Sequence, residues 1–219
     1  MKITAVLLHY WKERSNNFRK IIEDMETCTR PPDRIIVFDQ SEKEYERIGD
    51  EIVIRSDKHF GCRARHIVAL LEPSDYYLFA DDDLVVDQQC IELFEKYAHP
   101  DQVIGLFGKN ADGSIVFSRD IDRPTKVDFI IGRIHFTSPK CIVNSLNCRI
   151  ENKLMKQMLY GDDVILGMSN KSIVLPRGKG YIEELSTSGV GAVERPLHKQ
   201  KRAEIANKLI INKLKICPK

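Results

Sequence analysis

Three consecutive carboxylates, Asp81-Asp82-Asp83, interrupt an otherwise apolar run between Tyr76-Tyr77-Leu78-Phe79-Ala80 and Leu84-Val85-Val86. Tyr76 to Ala80 has the length and aromatic content of a buried strand. Adjacent acids at the end of such a strand repel one another and are costly to desolvate. A divalent cation removes that cost. Mg²⁺ and Mn²⁺ prefer carboxylate oxygens and complete their shells with substrate phosphates. In open parallel sheets, ligands sit just beyond the carboxyl ends of the strands. The triplet therefore reads as a metal-diphosphate site. The plainer reading is a polar turn with Asp87 capping the helix that follows, but a turn needs one aspartate, not three between apolar flanks.

The chain of 219 residues is long enough for one domain with a sizeable core. Its 34 basic and 32 acidic side chains leave a net charge of +2, which gives no support for bulk nucleic-acid binding. Basic residues gather from Arg195 onward. The six cysteines, at positions 28, 62, 90, 141, 148 and 217, lack zinc-ligand spacing, and a chain this size needs no disulfide scaffold, so a reducing compartment is expected. Ile3 to Leu8 is too short for a signal-peptide core. No apolar run approaches spanning length, so any membrane would be met from its surface.

Taken in order, Ile3 to Tyr10, Arg34 to Phe38, Ile52 to Arg55 and Tyr76 to Ala80 read as strands. Ser15 to Cys28, with Phe18, Ile21, Ile22 and Met25 on one face, and Arg63 to Leu71 read as helices. Strands alternating with helices imply a mostly parallel sheet flanked by helices. Further on, Gln89 to Tyr97, Pro139 to Leu146 and Asp162 to Asn170 read as helices. Gln102 to Phe107, Gly113 to Ser118, Lys126 to Phe136 (one long strand) and Ile173 to Leu175 read as strands, and Lys199 to Leu214 as a basic amphipathic helix. No linker divides the chain. The expectation is a single α/β domain over 1–219, with a nucleotide-binding half at 1–83 and an acceptor-side half at 84–219.

Several other positions can carry chemistry. Asp39, just past the second strand, could accept hydrogen bonds from a uracil or a ribose; it reads equally well as a turn aspartate. Gly61-Cys62-Arg63-Ala64-Arg65 leads a polar loop into a helix whose first turn is cationic. Cations are unfavourable at the positive end of a helix, so an anion such as a diphosphate would compensate Arg63 and Arg65; the alternative is solvated arginines on an exposed face. Gly161-Asp162-Asp163 opens another helix. One of its acids could be the N-cap, or one could orient an acceptor hydroxyl or take its proton. Arg195 and His198 lie in a glycine-containing stretch, 189–198, which could close over a nucleotide diphosphate. There is no Gly-rich phosphate loop, nucleophile elbow or zinc-binding helix.

Together these features resemble the GT-A class of nucleotide-sugar glycosyltransferases, and within it the exostosin-like C-terminal domain. The likeness rests on four ordered segments: Asp81-Asp82-Asp83 with "FEKYAHPDQVIGLFGK", then "VDFIIGRIHF", "GDDVILGMSNK" and "LSTSGVGAVERPLHKQKRAEIANKL". It implies that Asp81 and Asp82 face the nucleotide and that Asp83, with Asp81 and His198, serves Mn²⁺ (or Mg²⁺). It also implies that Arg65 contacts the nucleotide, that Asp162 and Asp163 lie near the acceptor, and that Arg195 meets the diphosphate as it departs. The reaction implied is metal-dependent transfer from a UDP-sugar to a glycan or other hydroxyl. The chain lacks the family's secretory anchor, so the expected setting is a soluble viral (chlorovirus-type) or bacterial member in the cytoplasm, the host's if viral. Two other classes stay open: a nucleotidyltransferase, although His9-Tyr10-Trp11-Lys12-Glu13-Arg14 is not its usual Gly-rich basic loop, and a non-catalytic glycan- or metal-binding module.

Overall fold

A strand covered on both faces must be apolar throughout, and β1 (Ile3–His9) is buried at all seven positions. A computed structural model describes residues 1–41, 45–148, 161–177, 182–185, 200 and 203–207. β1 lies between two parallel neighbours, β2 (Arg34–Asp39) and β4 (Tyr76–Ala80), and β3 (Ile52–Arg55) pairs parallel with β2. The crossovers carry α1 (Asn17–Glu26) and α2 (Ala64–Ala69). α1 buries Phe18, Ile21, Ile22 and Met25, the face expected from its spacing.

Beyond β4 come β5 (Leu84–Val86), α3 (Cys90–Lys96), β6 (Gln102–Gly105), β7 (Phe107–Lys109), β8 (Ile115–Phe117), β9 (Thr125–Val127), β10 (Phe129–Ile130) and β11 (Ile134–Thr137). They are followed by α4 (Pro139–Leu146), α5 (Asp162–Met168), β12 (Lys171–Val174) and β13 (Ile182–Glu184). Eight strands form one sheet in the order β3-β2-β1-β4-β11-β6-β12-β9, so the sheet runs unbroken from the 1–83 half into the second half. β11 is antiparallel to both β4 and β6, β12 is parallel to β6, and β9 is antiparallel to β12. Two small sheets, β10-β7-β8 and β13-β5, stand apart from it.

Alternation along the central strands fills two apolar layers. Ile3, Ala5, Leu7, Leu78 and Ala80 meet Phe18, Ile21, Ile22 and Phe94 of α1 and α3. Val6, Leu8, Tyr77 and Phe79 meet Val68, Ala69 and Ile142 of α2 and α4. α4 starts with Pro139 behind its N-cap Ser138, whose hydroxyl accepts from the Cys141 amide.

The single long strand expected over Lys126 to Phe136 is corrected to three pieces. A tight turn closes after β10, where the Arg133 amide donates to the Ile131 carbonyl at 2.9 Å. Each piece then joins different partners: β9 joins β12, β10 joins β7, and β11 joins β4 and β6. Of the expected basic helix over Lys199 to Leu214, residue 200 and residues 203–207 are described, and they are helical. Ile205 there packs with Phe129, Val164, Ile165 and Met168.

Candidate active site

The acid triplet lies where the sheet changes polarity. β4 ends at Ala80, and the Asp81 amide continues the pairing by donating to the Arg133 carbonyl at 2.8 Å. The triplet's main chain is pinned on both sides, by Asn17 Nδ2 donating to the Asp82 carbonyl and the Leu185 amide donating to the Asp83 carbonyl, each at 2.8 Å. The side chains meet three guanidiniums. Arg65 Nη1 donates to Asp81 Oδ1 at 2.9 Å. Arg14 Nη1 donates to Asp82 Oδ1 at 2.5 Å and to Asp83 Oδ2 at 3.1 Å. Arg133 Nη2 donates to Asp83 Oδ1 at 3.3 Å. The repulsion among the three acids is thus already offset by protein side chains.

The balance is incomplete at one atom. Asp82 is buried, and its Oδ2 has no hydrogen-bond partner. Burial pushes the Asp82 carboxyl up to about 6, with Arg14 opposing the shift. Burial also pushes Asp81 upward, although 36% of its side chain stays exposed and Arg65 opposes the rise. Among the described residues, no group of three or more His, Cys, Asp or Glu side chains converges as a metal site. The donor set still suits Mn²⁺ or Mg²⁺ held by one or two carboxylates and completed by phosphates, since such ions seldom need an all-protein cage. An unpartnered buried carboxylate oxygen fits that use.

Arg65 is the hub behind the triplet. It is 2% exposed, and its Nη2 donates to Asp162 Oδ2 at 3.0 Å and to the Gly132 carbonyl at 3.1 Å. Asp163 Oδ2 accepts from the Gly132 amide, and its Oδ1 from the Val164 amide, both at 2.9 Å. A side chain at Gly132 would be tight, since a Cβ would lie 3.1 Å from both Arg65 Nη2 and Asp163 Cβ. The N-cap of α5 is Gly161, with φ of 110°, so neither Asp162 nor Asp163 is the cap. Both acids are buried in the first turn of α5.

Arg63 and Arg65 are buried, which corrects the alternative of solvated arginines on an exposed face. Arg63 is the N-cap residue of α2, and its Nη2 donates to the Ser145 carbonyl at 2.7 Å, bracing α2 against α4. Burial lowers its pKa. Next to Arg65, His66 Nε2 lies 3.3 Å from His135 Nε2; both rings are buried, and His135 stacks on Phe79.

Asp39 is 1% exposed and engaged within its own loop. Its Oδ1 accepts from the Ser41 amide at 3.0 Å and the Ser41 hydroxyl at 2.8 Å, and lies 2.9 Å from His9 Nδ1; its Oδ2 accepts from the Tyr45 amide at 3.2 Å. Because Asp39 is 1% exposed, a direct contact with a nucleoside would require the surrounding loop to open. Arg195 and His198 lie outside the described residues.

Sequence reasoning missed Arg14, Arg133 and Glu184. Charge balance was the available signal, because three adjacent acids need three cations. The parallel register Leu7 to Ala80 brings the end of β1, and so Arg14, to the triplet. Glu184 grips Arg133 with both oxygens, at 2.7 and 2.5 Å.

The mostly parallel central sheet flanked by helices matches the GT-A type of fold of solved glycosyltransferases. The chain is similar to S. aureus TarS 1–349 in complex with UDP-GlcNAc, with a TM-score of 0.68 and 14% identity over 98% of this chain and 67% of that one. It is also similar to a longer S. aureus TarS chain (TM-score 0.58, 13% identity, 98% of this chain, 44% of that one) and to TarS 1–349 (0.58, 12%, 98% and 72%). At such identities the likeness is one of fold. No protein-family model matches the chain. No curated protein matches it.

Proposed function

We propose that the protein is a nucleotide-sugar glycosyltransferase that moves a sugar from a UDP-type donor to a hydroxyl of a glycan or another acceptor, with Mn²⁺ or Mg²⁺. The observation that carries this reading is the triplet, faced by Arg14, Arg65 and Arg133 at the end of β4. Support comes from the fold shared with a TarS chain whose structure holds UDP-GlcNAc. A cluster of alternating carboxylates and guanidiniums suits a diphosphate with its counter-ion.

In this reading Asp83 and Asp81 hold the cation, and Asp81 and Asp82 face the nucleotide. The bound ion would supply charge stabilisation to the departing nucleoside diphosphate. Arg65 keeps Asp81 and Asp162 at fixed separation, so donor and acceptor sides are positioned by one guanidinium. Asp163, with Asp162 beside it, handles the acceptor hydroxyl. Arg195 would meet the departing diphosphate, His198 would serve the metal with Asp83 and Asp81, and Asp39 and Arg63 shape the nucleoside side. The exostosin-like likeness is the narrowest form of the proposal and rests on its four segments. A cytoplasmic setting belongs to the proposal too; among the described residues no helix is long and apolar enough to cross a membrane.

The test is a panel of nucleotide sugars scored by nucleotide diphosphate release, with and without Mn²⁺. Metal-stimulated release from one donor is expected. If no donor is turned over and UDP fails to bind in the presence of Mn²⁺ by calorimetry, the reading falls.

A further inference from the structure

We propose that Arg133, retained by Glu184, is a displaceable counter-ion of Asp83, neutralising that carboxylate when no donor is bound and passing to the donor's phosphates when a divalent cation takes Asp83. The inference rests on the nucleotide-sugar reading and gives Arg133 and Glu184 separate, specific roles within it.

The three arginines at the triplet are not equivalent. Arg14 is 6% exposed and shared between two aspartates, and Arg65 is 2% exposed with three acceptors. Both are walled in. The Arg133 side chain is 29% exposed, and its bond to Asp83 is the longest of the set at 3.3 Å. Its stronger partner is Glu184, which engages both Nη atoms. Its guanidinium also lies over the Phe107 ring, 5.6 Å from the centroid. Arg133 can therefore release Asp83 without moving its stem and without losing its carboxylate anchor.

Both Asp83 oxygens already accept from guanidiniums, Oδ2 from Arg14 and Oδ1 from Arg133. A cation at Asp83 competes with them, and the partly exposed Arg133 is the less costly one to move. A freed Arg133 Nη2 then lies beside the position where phosphate oxygens share the ion's shell, and its planar fork suits a diphosphate.

The experiment is Mn²⁺ titration of the full chain by electron paramagnetic resonance, paired with UDP binding in saturating Mn²⁺. For Arg133→Ala, Mn²⁺ alone should bind about tenfold tighter, a change of about 1.4 kcal/mol. UDP with Mn²⁺ should bind about tenfold weaker in the same variant. Glu184→Gln leaves Arg133 to Asp83 alone, so Mn²⁺ affinity should drop, opposite in sign to Arg133→Ala; this second variant carries the test if the first does not fold. A merely structural role would weaken both ligands together. Unchanged or weaker Mn²⁺ binding in Arg133→Ala overturns the proposal while leaving the glycosyltransferase reading standing. A wild-type chain that binds Mn²⁺ but never UDP overturns the reading, and the transfer of Arg133 to phosphate with it.

Discussion

Asp39 and the Asp81–Asp83 triplet end the two strands that flank β1, yet they are wired differently. Asp39 is held by two amides and a hydroxyl within six residues of itself, and by His9, with the Arg55 guanidinium only at the 4.0 Å limit of an ion pair. The triplet is held by arginines from three distant segments. Short-range amide and hydroxyl donors make a carboxylate part of the scaffold. Long-range cations leave it open to competition from another cation. Position at a strand end therefore does not by itself make an acid a ligand; the kind of donor that satisfies it separates the two.

Asp163 belongs to both groups, since backbone amides hold it but it lies beside Arg65. It carries the largest expected effect. Asp163→Asn should lower transfer to acceptor by about 10²–10⁴, the usual scale for a lost general base, while UDP affinity is kept. A wild-type transfer rate would place Asp163 with Asp39, as scaffold. Next is Asp39→Ala, which strands buried donors beside His9 and should cost about 3–5 kcal/mol, lowering the melting temperature by about 10 °C or more. A thermal melt checks it; a loss within 1 °C would remove the distinction drawn here. Asp83→Ala should show the reverse pattern. Arg14 keeps Asp82 and Arg133 keeps Glu184, so the melt should barely move, while Mn²⁺-dependent UDP affinity should fall about 100-fold.

The smallest effect concerns the layer behind the triplet. Burial holds His66 at about 3 and His135 well below 6.5. Their depressed values mean that the folded chain binds fewer protons than the unfolded chain, so their contribution is full above about pH 6.5 and is lost as pH falls below it. Between pH 7 and pH 5.5 each should remove about 1 kcal/mol, seen in denaturant unfolding. A His66→Phe/His135→Phe double variant should flatten that profile; an unchanged slope would assign it to other groups.

The first half of the fold was legible because each element carries its own local signal. α1 shows its buried face at helical spacing, and β1, β2 and β4 are short apolar runs closed by polar residues. β5 and β13 were not legible, being three residues each and paired across nearly a hundred positions. The break of the 126–136 run was hidden because hydrophobicity continues through it, and the partners that divide it are remote. In the site, the acids were visible because unlike neighbours make them conspicuous. Arg14 and Arg133 were not, because each is a single basic residue whose meaning depends on which strands lie side by side.

The change of sheet polarity between β4 and β11 also has a consequence in time. Arg14 reaches Asp82 across 68 positions, Arg65 reaches Asp162 across 97, and Arg133 reaches Glu184 across 51. A chain emerging in order can form the β1 to β4 pairings early, but Arg65 lacks its Gly132 and Asp162 partners until those segments have been made. The charged cluster is therefore completed only once the chain has been made through Glu184, well after the first parallel strands.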